Sequence, residues 1–333
     1  MQIRVAVAKQ GVDLGSYRRR VFETIRRYRL VEMGDVIYVA VSGGKDSCAA
    51  LSLLKEYVEE YRVDAEVKAL HINLGFGYSP KLEEIVKRQA EALGVELHVA
   101  YAKDYLDILA ASKASGRPIC SVCGAVKRYI MNKVPRELGA TKVATGHHMY
   151  DFLAYYFKNL AGQNHQWNFK ILPKVEGRGL LLTKIRPLIF ARPEENEAYC
   201  KSKGLPVNEV CCEYGILPKV EGRGLLLTKI RPLIFARPEE NEAYCKSKGL
   251  PVNEVCCEYG LCGAAHAEVV EMLRAARRRD PDFDLKLMRG VVDFNTRFRP
   301  AEEEPVKKCK ICGEPTSGEV CTVCRLRSLL GAT

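Results

Sequence analysis

A short apolar run, a glycine turn and a helix constrain the fold of this chain more than any other feature. Residues 36–41, VIYVAV, have the length and β-branched composition of a buried strand. The turn SGGKDS follows at residues 42–47, and residues 48–57 have the apolar spacing of a helix. This order of elements aims backbone N–H groups and a helix N-terminus at an anion, so the stretch predicts a phosphate site.

Each residue type in the turn suits that role. Gly43 and Gly44 let the backbone approach a phosphate closely, and Lys45 adds positive charge. Asp46 and Ser47 fall in the first helical turn, where they can cap free N–H groups or face a metal-bound phosphate. The turn differs from the Walker pattern GxxxxGK[ST]. The alternative interpretation is an ordinary strand-to-helix turn without a ligand.

Composition limits the class of protein. The chain has 333 residues, 47% of them hydrophobic, which is enough for one large domain with a small appendage. A net charge of +11 and a pI of about 9.0 favour a polyanionic partner. We expect a cytoplasmic protein without a membrane segment, because no apolar signal core or span-length run is present. In that compartment, 14 cysteines indicate metal ligands or catalytic thiols rather than disulfides.

Strands and helices alternate after the first unit. We predict strands at Ala65–Ile72, Val95–Ala100 and Lys142–Gly146, and helices at Pro80–Leu93, Cys123–Glu137 and Asp151–Leu160. This alternation is typical of an α/β fold with a doubly wound parallel sheet. Ser42, Ile72 and Gly146 fall at the carboxyl ends of strands, where such sheets bind ligands, so we expect one nucleotide site there.

The domain organisation follows from composition and charge. Residues 1–30 form a basic segment with a predicted helix at Ser16–Arg29, whose arginines form either a solvated face or an RNA-facing surface. Residues 31–298 are the expected catalytic domain. Asp280–Pro305 is charged and contains three prolines, which predicts a helix end and a linker to a small module at residues 305–328.

A tandem repeat interrupts the second half of the chain. Ile171–Gly215 recurs, residue for residue, as Ile216–Gly260. Two identical copies of 45 residues indicate a recent duplication or a sequence-assembly error rather than a solenoid, whose repeats diverge and number three or more. Removing one copy joins Gly215 to Leu261 and restores a continuous pattern.

Four cysteines near the C-terminus have zinc-site spacing. Cys309-x2-Cys312 and Cys321-x2-Cys324 form two knuckles that match a tetrahedral structural Zn²⁺ site. The segment is too short to fold on an apolar core of its own, so the metal would supply its folding energy. Lysines and arginines around the knuckles suit contact with phosphate.

An internal pair, Cys120-x2-Cys123, is less specific. One CxxC can be redox-active, metal-binding or accidental, and this pair precedes a helix that carries Lys127. Candidates for a third ligand are Cys211, Cys212, Cys256 and Cys257. Three cysteines would leave one iron of a [4Fe–4S] cluster without a protein ligand, and the spacing equally allows a disulfide relay. We expect Cys48, Cys200, Cys245 and Cys262 to be buried core thiols.

Taken in order, SGGKDS, LHINLGFGYS, CSVCGAVKRYIMN and ATGHHMYD resemble the tRNA-uridine 2-thiolation enzymes of the PP-loop ATP pyrophosphatase family. Among these, the chain is most similar to the archaeal and thermophile two-thiouridine synthetases that act at position 54, with the wobble-uridine enzymes as close relatives. The resemblance covers roughly Ser16 to Thr333, and the combination of motifs is far more specific than any one of them.

The resemblance implies a mechanism and a site. ATP with Mg²⁺ adenylates the uracil C2 oxygen, and sulfur held on a [4Fe–4S] cluster displaces AMP. The implied cluster ligands are Cys120, Cys123 and Cys256, with Cys211 as the alternative. Lys127 would stabilise negative charge on a phosphate or on the uracil oxygen; the alternative is a solvated helix residue. Asp151 would act as acid/base or as a Mg²⁺ ligand; the alternative is a helix cap. The implied ATP-binding residues are Ala40, Ser42, Gly43, Gly44, Lys45, Asp46, Ser47, Ile72 and Gly146.

The family also implies partners, namely tRNA, a ubiquitin-like sulfur-carrier protein and a second copy in a homodimer. Three features depart from the family pattern. Residues 1–14 lack the cysteines of the usual N-terminal zinc finger, the motif GHNxDDEA is GHHMYDFL here, and the repeat leaves the third cluster ligand ambiguous.

Two other functions stay open at this point. One is a different PP-loop adenylating enzyme, such as a tRNA-cytidine 2-thiolation enzyme, a ligase or an amidotransferase. The other is a non-catalytic RNA-binding zinc protein with a degenerate loop.

Overall fold

The computed structural model describes residues 13–77, 79–177, 179–207, 264–298 and 306–331. In this part of the chain, no helix combines the length and the apolar character needed to cross a membrane. The elements, in chain order, are α1 (Leu14–Arg27), β1 (Asp35–Val41), α2 (Lys45–Glu60), β2 (Ala65–Asn73), α3 (Ser79–Leu93), β3 (Leu97–Tyr101), α4 (Ile108–Ser115), α5 (Ile119–Glu137), β4 (Lys142–Thr145), α6 (Met149–Ala161), α7 (His165–Asn168), β5 (Lys174–Val175), β6 (Thr183–Ile185), α8 (Pro193–Ser202), α9 (Ala264–Arg277), α10 (Phe283–Phe298), β7 (Lys307–Lys308), β8 (Pro315–Thr316) and α11 (Thr322–Leu329).

The main sheet has the strand order β3–β2–β1–β4–β6–β5 among the described residues. Neighbouring strands are parallel, except that β5 runs antiparallel to β6. The four strands predicted from sequence are present, with ends shifted by one or two residues. Because β1, β2 and β4 are parallel, Val41, Asn73 and Thr145 end at one side of the sheet, which we call the carboxyl edge.

Helices α1, α2, α3 and α8 cover one face of the sheet. Tyr17 of α1, Val39 of β1 and Leu51 of α2 are fully buried in this layer. Cys48 and Cys200 lie in the same core, which confirms their prediction as buried thiols. A sheet face covered by helices requires apolar side chains that point into the layer between them, and each of these elements contributes such side chains.

Helices α4 and α5 cover the opposite face. Val122, Val126 and Ile130 recur at helical spacing along α5 and are buried against the sheet. Leu326 of the C-terminal module packs into the same cluster. Both faces are therefore covered, and the predicted doubly wound α/β architecture is confirmed.

A third core joins α6, α9 and α10, and it corrects one sequence-based expectation. Residues 280–305 were expected to form a helix end and a linker, but α10 occupies Phe283–Phe298. Leu285, Met288 and Val292 are buried against α6, while the charged residues between them face outward. The charged and proline-flanked composition concealed a regular amphipathic helix.

The first copy of the repeat supplies β5, β6 and α8. Leu188 and Ile189 of this copy are fully buried, and Ile185 packs with the strands of the first core. The second copy, residues 216–260, lies outside the described residues, as do residues 208–215 of the first copy. Within the described residues, the first copy provides the last two strands of the sheet.

Candidate functional site

Hydrogen bonds between the Ser47 hydroxyl and the backbone stabilise the turn after β1. The backbone N–H of Ser42 donates to Oγ of Ser47 at 3.1 Å, and that hydroxyl donates to the carbonyl of Gly44 at 3.1 Å. Gly43 has φ +86°, a conformation that favours glycine. Gly44 is the N-cap of α2 and provides no side-chain cap, so the first N–H groups of the helix are left for an anion.

The loop after β4 lies directly against this turn. A Cβ atom on Gly146 would lie 2.5 Å from the backbone nitrogen of Ser47 and 2.6 Å from its Cα. No side chain fits at that distance, so glycine permits the contact. The predicted approach of Gly146 to the phosphate turn is therefore present.

Ala40 and Ile72 lie on the neighbouring strands near the same edge. Ala40 pairs with Leu70 of β2 on one side and with Thr145 of β4 on the other. Ile72 is the penultimate residue of β2. The structure thus brings together, at one edge, all the nucleotide-binding residues predicted from the sequence.

The carboxylate of Asp46 is oriented from two sides. Its Oδ2 lies 3.2 Å from Nζ of Lys45, and its Oδ1 accepts a 2.6 Å hydrogen bond from Nδ2 of Asn196 on α8. The hydroxyl of Tyr17 donates to Oδ1 of Asn196 at 2.6 Å. Asn196 and Tyr17 were not predicted as site residues, because a neutral amide and a phenol more than a hundred residues apart leave no local pattern.

His71 is a second residue that sequence reasoning missed. Its Nδ1 lies 3.0 Å from the carbonyl oxygen of Val41, which can only accept, so Nδ1 carries the proton. Burial lowers the pKa of His71, and the nearby charge of Lys127 acts in the same direction. Its buried Nε2 has no hydrogen-bond partner among the described residues. The electrostatic interaction between Lys127 and His71 also indicates that Lys127 of α5 lies near the ends of β1 and β2.

The first turns of α5 carry the internal cysteine pair. Cys120 is exposed and Cys123 is half-buried. Cys120, Cys123 and Lys127 are three or four residues apart and share one side of the helix. Helix α5 leads into β4 at its far end, so its N-terminus lies toward the carboxyl edge. Cys211 and Cys256, the alternatives for a third ligand, lie outside the described residues.

Asp151 has an observed role as a capping residue. Its Oδ2 accepts the backbone N–H of His148 at 3.0 Å, and Nδ1 of His148 accepts the N–H of Asp151 at 3.4 Å. This reciprocal pair is a capping box at the start of α6. The cap fixes Asp151, which is buried, one turn after Gly146 and His147.

The four C-terminal cysteines form a compact group. Their sulfur atoms lie within 4.8 Å of one another, and this group is formed by Cys309, Cys312, Cys321 and Cys324. The backbone N–H of Cys321 donates to Sγ of Cys309 at 3.2 Å, an interaction that stabilises thiolate. Four such sulfurs are the donor set of structural Zn²⁺, and the residues fit that metal.

The cysteine module is docked on α5. Both oxygens of Glu314 accept hydrogen bonds from the guanidinium of Arg136, one at 3.0 Å. The Arg327 guanidinium donates to the carbonyl of Tyr105 at 2.6 Å. Arg327 therefore helps to dock the module on the rest of the chain. Four other basic residues of the module are exposed, namely Lys307, Lys308, Lys310 and Arg325.

Comparison with known proteins agrees with this site. The PP-loop domain model matches residues 18–209. The tRNA-5-methyluridine(54) 2-sulfurtransferase of Pyrococcus horikoshii is 31% identical over 94% of this chain and 85% of its own length. The enzyme of the same name from Thermotoga maritima is 29% identical over 93% of this chain and 86% of its own.

A solved structure shows the same fold. The U34-tRNA thiolase NcsA from Methanococcus maripaludis, solved with its [4Fe–4S] cluster, superposes with a TM-score of 0.69 at 21% identity. The match covers 96% of this chain and 89% of NcsA. With the phosphate turn, the cysteine-bearing helix and these similarities together, the chain belongs to the PP-loop family and, within it, to the tRNA 2-sulfurtransferases.

Proposed function

We propose that this protein catalyses the ATP-dependent 2-thiolation of a tRNA uridine, with position 54 favoured over the wobble position 34. The uracil C2 oxygen attacks the α-phosphorus of ATP and pyrophosphate leaves. Sulfur then replaces AMP at C2. The relatives that match almost the whole chain and carry this activity in their names support the proposal.

The phosphate turn is the ATP-binding element of this proposal. Backbone N–H groups from Gly43 to Ser47 receive the departing pyrophosphate, and Lys45 neutralises part of its charge. Asp46, held by Asn196, is placed to ligate Mg²⁺ with the free lone pairs of its carboxylate. The adenosine lies along Ala40, Ile72 and Gly146.

Two residues are proposed to act on the uracil. Lys127, on the cysteine-bearing side of α5, stabilises the negative charge that develops on the C2 oxygen or on the α-phosphate. Asp151 serves as acid/base or as a second Mg²⁺ ligand through an oxygen not used in capping His148. The cap would then hold this carboxylate in place for the reaction.

Cys120, Cys123 and a third cysteine, Cys256 or Cys211, are proposed to hold a [4Fe–4S] cluster. When bound, that cluster supplies an iron without a protein ligand, at which sulfur can be held close to the activated uracil. A ubiquitin-like carrier with a C-terminal thiocarboxylate is the proposed sulfur donor. The active form is proposed to be a homodimer, and the module at Cys309–Cys324 to bind Zn²⁺.

One observation supports this function above others. The cysteine pair at the start of α5, the phosphate turn and the Gly146 loop converge on the carboxyl edge, and Lys127 lies near His71. An adenylated base and a sulfur carried by these cysteines would therefore meet. A PP-loop enzyme without sulfur chemistry has no use for this cysteine pair.

Anaerobic purification with and without the cysteine pair tests the proposal. The wild type is expected to show the broad absorption of an iron–sulfur cluster and to form 2-thiouridine in tRNA. Cys120→Ala should lose both. Ser121→Ala on the same helical turn is the matched control and should retain both. A colourless protein that still thiolates tRNA would contradict the cluster.

Two further measurements settle the alternatives. Cys211→Ala and Cys256→Ala, made separately in the full chain, identify the copy that supplies the third ligand by loss of absorption. Mass spectrometry of nucleosides from the treated tRNA identifies uridine or cytidine, and its position. Turnover that persists without Cys120 and Cys123 would favour a different PP-loop adenylating enzyme, and absence of tRNA-dependent pyrophosphate release would favour a non-catalytic RNA-binding protein.

A further inference from the structure

A glutamine occupies a buried position where helix α3 meets the phosphate turn. Gln89 is 1% exposed and lies on the same side of α3 as Val86 and Ala90, which are also buried. A Cβ atom on Gly43 would lie 3.4 Å from Cδ2 of Leu82, so α3 packs directly against the turn. An amide among apolar side chains costs free energy unless its polar atoms are hydrogen-bonded.

Both donors of this amide are used. Nε2 of Gln89 donates to the carbonyl oxygen of Gly43 at 3.0 Å and to that of Pro206 at 2.6 Å. Carbonyl oxygens only accept, so these two contacts fix which end of the amide carries the N–H groups. Its buried Oε1 has no hydrogen-bond partner among the described residues. The chain therefore bears the cost of an unsatisfied oxygen at a position where an apolar side chain would pack without one.

The contact with Gly43 sets the orientation of one peptide group in the turn. The described peptide bonds are all trans, and in a planar trans peptide the C=O and the N–H point in opposite directions. The Gly43 carbonyl points to Gln89 on α3, so the N–H of Gly44 points away from α3. This N–H donates no hydrogen bond within the described residues. It is therefore available to an anion at the start of α2.

This peptide lies between two residues with unusual backbone freedom. Glycine populates both signs of φ, so a peptide flanked by Gly43 and Gly44 can rotate more readily than the others in the turn. A hydrogen bond from a side chain that is itself buried in α3 restrains that rotation. Donors that are already fixed bind an anion more tightly than donors that must first be ordered.

The second contact of Gln89 fastens α8 to the same turn. Pro206 lies just beyond the C-terminal end of α8. The same helix carries Asn196, which donates to the carboxylate of Asp46 in the first turn of α2. One amide therefore holds the backbone of the turn, and the helix to which it is fastened holds the carboxylate beside it.

We propose that Gln89 is a positioning residue for phosphate binding. Its amide holds the peptide between Gly43 and Gly44 so that the N–H of Gly44 is directed at the β- or γ-phosphate of ATP and at the departing pyrophosphate. The proposal rests on the proposed function, since that function brings ATP to the turn and releases pyrophosphate there. Because Gln89 acts through the backbone of the turn, its loss should affect ligands that carry these phosphates and spare ligands that lack them.

Gln89→Met tests the proposal, because methionine keeps an unbranched side chain of similar length and removes both donors. Asn295→Leu on α10 is the matched control. Nδ2 of Asn295, which is completely buried, also donates to two carbonyls, those of Asn168 and Ile171. Its Oδ1 likewise has no partner among the described residues. The two variants therefore remove the same kind of amide, one that contacts the turn and one that does not.

The binding of three ligands separates positioning from general damage. ATP with Mg²⁺, inorganic pyrophosphate with Mg²⁺, and AMP are titrated separately by calorimetry. For Gln89→Met, the affinities for ATP and pyrophosphate are expected to fall by about tenfold or more, and the affinity for AMP to stay within about twofold of wild type. Asn295→Leu should bind all three ligands within about twofold of wild type, even where its melting temperature falls as far as that of Gln89→Met.

Two results would overturn the proposal. Affinities of Gln89→Met for ATP and pyrophosphate within about twofold of wild type would show that the turn needs no orientation from α3. An equal loss of ATP and AMP affinity would show that the glutamine only supports the fold around the site.

If Gln89→Met fails to fold, amide hydrogen exchange of the wild type decides the question. The side-chain amide of Gln89 should exchange slowly, and the N–H of Gly44 should become protected when pyrophosphate binds but not when AMP binds. A Gly44 N–H that pyrophosphate leaves unprotected would contradict the assignment. None of these measurements requires tRNA or turnover, so a wild type that binds pyrophosphate but forms no 2-thiouridine would refute the proposed function alone.

Discussion

Nδ2 of Asn196 donates a 2.6 Å hydrogen bond to Oδ1 of Asp46, joining α8 to the first turn of α2. Asn196 is completely buried, and its amide oxygen accepts from the hydroxyl of Tyr17 on α1. Three helices thus hold one carboxylate beside the phosphate turn. Each of these hydrogen bonds is directional, so the chain of contacts sets the orientation of Asp46 and not only its position.

Replacing Asn196 should lower both stability and activity. Asn196→Leu leaves Tyr17 and Asp46 each without a partner, so the free energy of unfolding should fall by about 1–3 kcal/mol. Pyrophosphate release should fall by about tenfold or more, because Asp46 loses its orientation. Chemical denaturation and a pyrophosphate assay measure the two effects.

Tyr17→Phe is the control for this prediction. It removes the donor to Asn196 but leaves the bond to Asp46, so stability should fall with a much smaller loss of pyrophosphate release. Equal losses of activity in the two variants would show that the amide has only a structural role.

Gly146→Ala should disrupt the phosphate turn. The added Cβ would meet the backbone nitrogen and Cα of Ser47, which cannot rotate away. We expect destabilisation of about 1–3 kcal/mol and loss of ATP binding, measured by thermal unfolding and calorimetry. Gly290→Ala is the control: no atom lies within 4 Å of its Cβ position on α10. That variant should gain about 0.5–1 kcal/mol, and a loss comparable to Gly146→Ala would contradict the argument.

The proposed zinc ion should depend on the cysteine group as a unit. Cys324→Ser removes a buried sulfur of the group, and metal analysis should show a loss of about one zinc per chain. Cys200→Ser changes a buried cysteine of the first core and should leave the zinc content unchanged. Retention of zinc by Cys324→Ser would show that the metal is bound elsewhere.

Glu32 should contribute a pH-dependent part of the stability. Hydrogen bonds from Lys142 and Lys174 lower the pKa of its carboxyl from 4.5 to about 2. Because the folded-state pKa is the lower one, the contribution is complete above about pH 4.5 and disappears as pH falls toward 2. The stability deficit of Glu32→Gln should therefore shrink with acidification. Lys174→Met removes one partner and should show part of this dependence; a deficit independent of pH would contradict the assignment.

Removing the second copy of the repeat should leave the fold intact. Deletion of residues 216–260 joins Gly215 to Leu261 and touches no described element. Shortening the connection between α8 and α9 lowers the entropy cost of closure, so stability should be equal or higher by roughly 1 kcal/mol. Thermal unfolding and circular dichroism provide the measurement. An insoluble or unfolded product would show that the second copy is needed.

The parts of the fold that follow a continuous local pattern were predictable. Strands such as β1 are apolar runs bounded by turns, and the glycine turn after β1 has a defined geometry. By contrast, β5 and β6 are only two and three residues long, too short for a periodic signal. Helix α10 was missed because the charged residues interspersed along it, and the prolines on either side of it, concealed the apolar stripe that packs on α6.

The candidate site was predictable where chemistry follows motif spacing. Cys309–Cys324 and SGGKDS are examples, since ligands or phosphate contacts lie close together in sequence. Asn196 and His71 depend on contacts made across the fold, with Asp46 and with the carbonyl of Val41.

Helix α5 connects two cysteine groups that are far apart in sequence. At 19 residues it is about 28 Å long, with Cys120 in its first turn and Arg136, anchored to Glu314, in its last. On the proposed zinc assignment, a protein made without zinc would lose the support that Glu314 gives to the end of α5 opposite Cys120. Under-modified tRNA would then be the expected outcome of zinc scarcity, even where iron, ATP and the sulfur donor are plentiful.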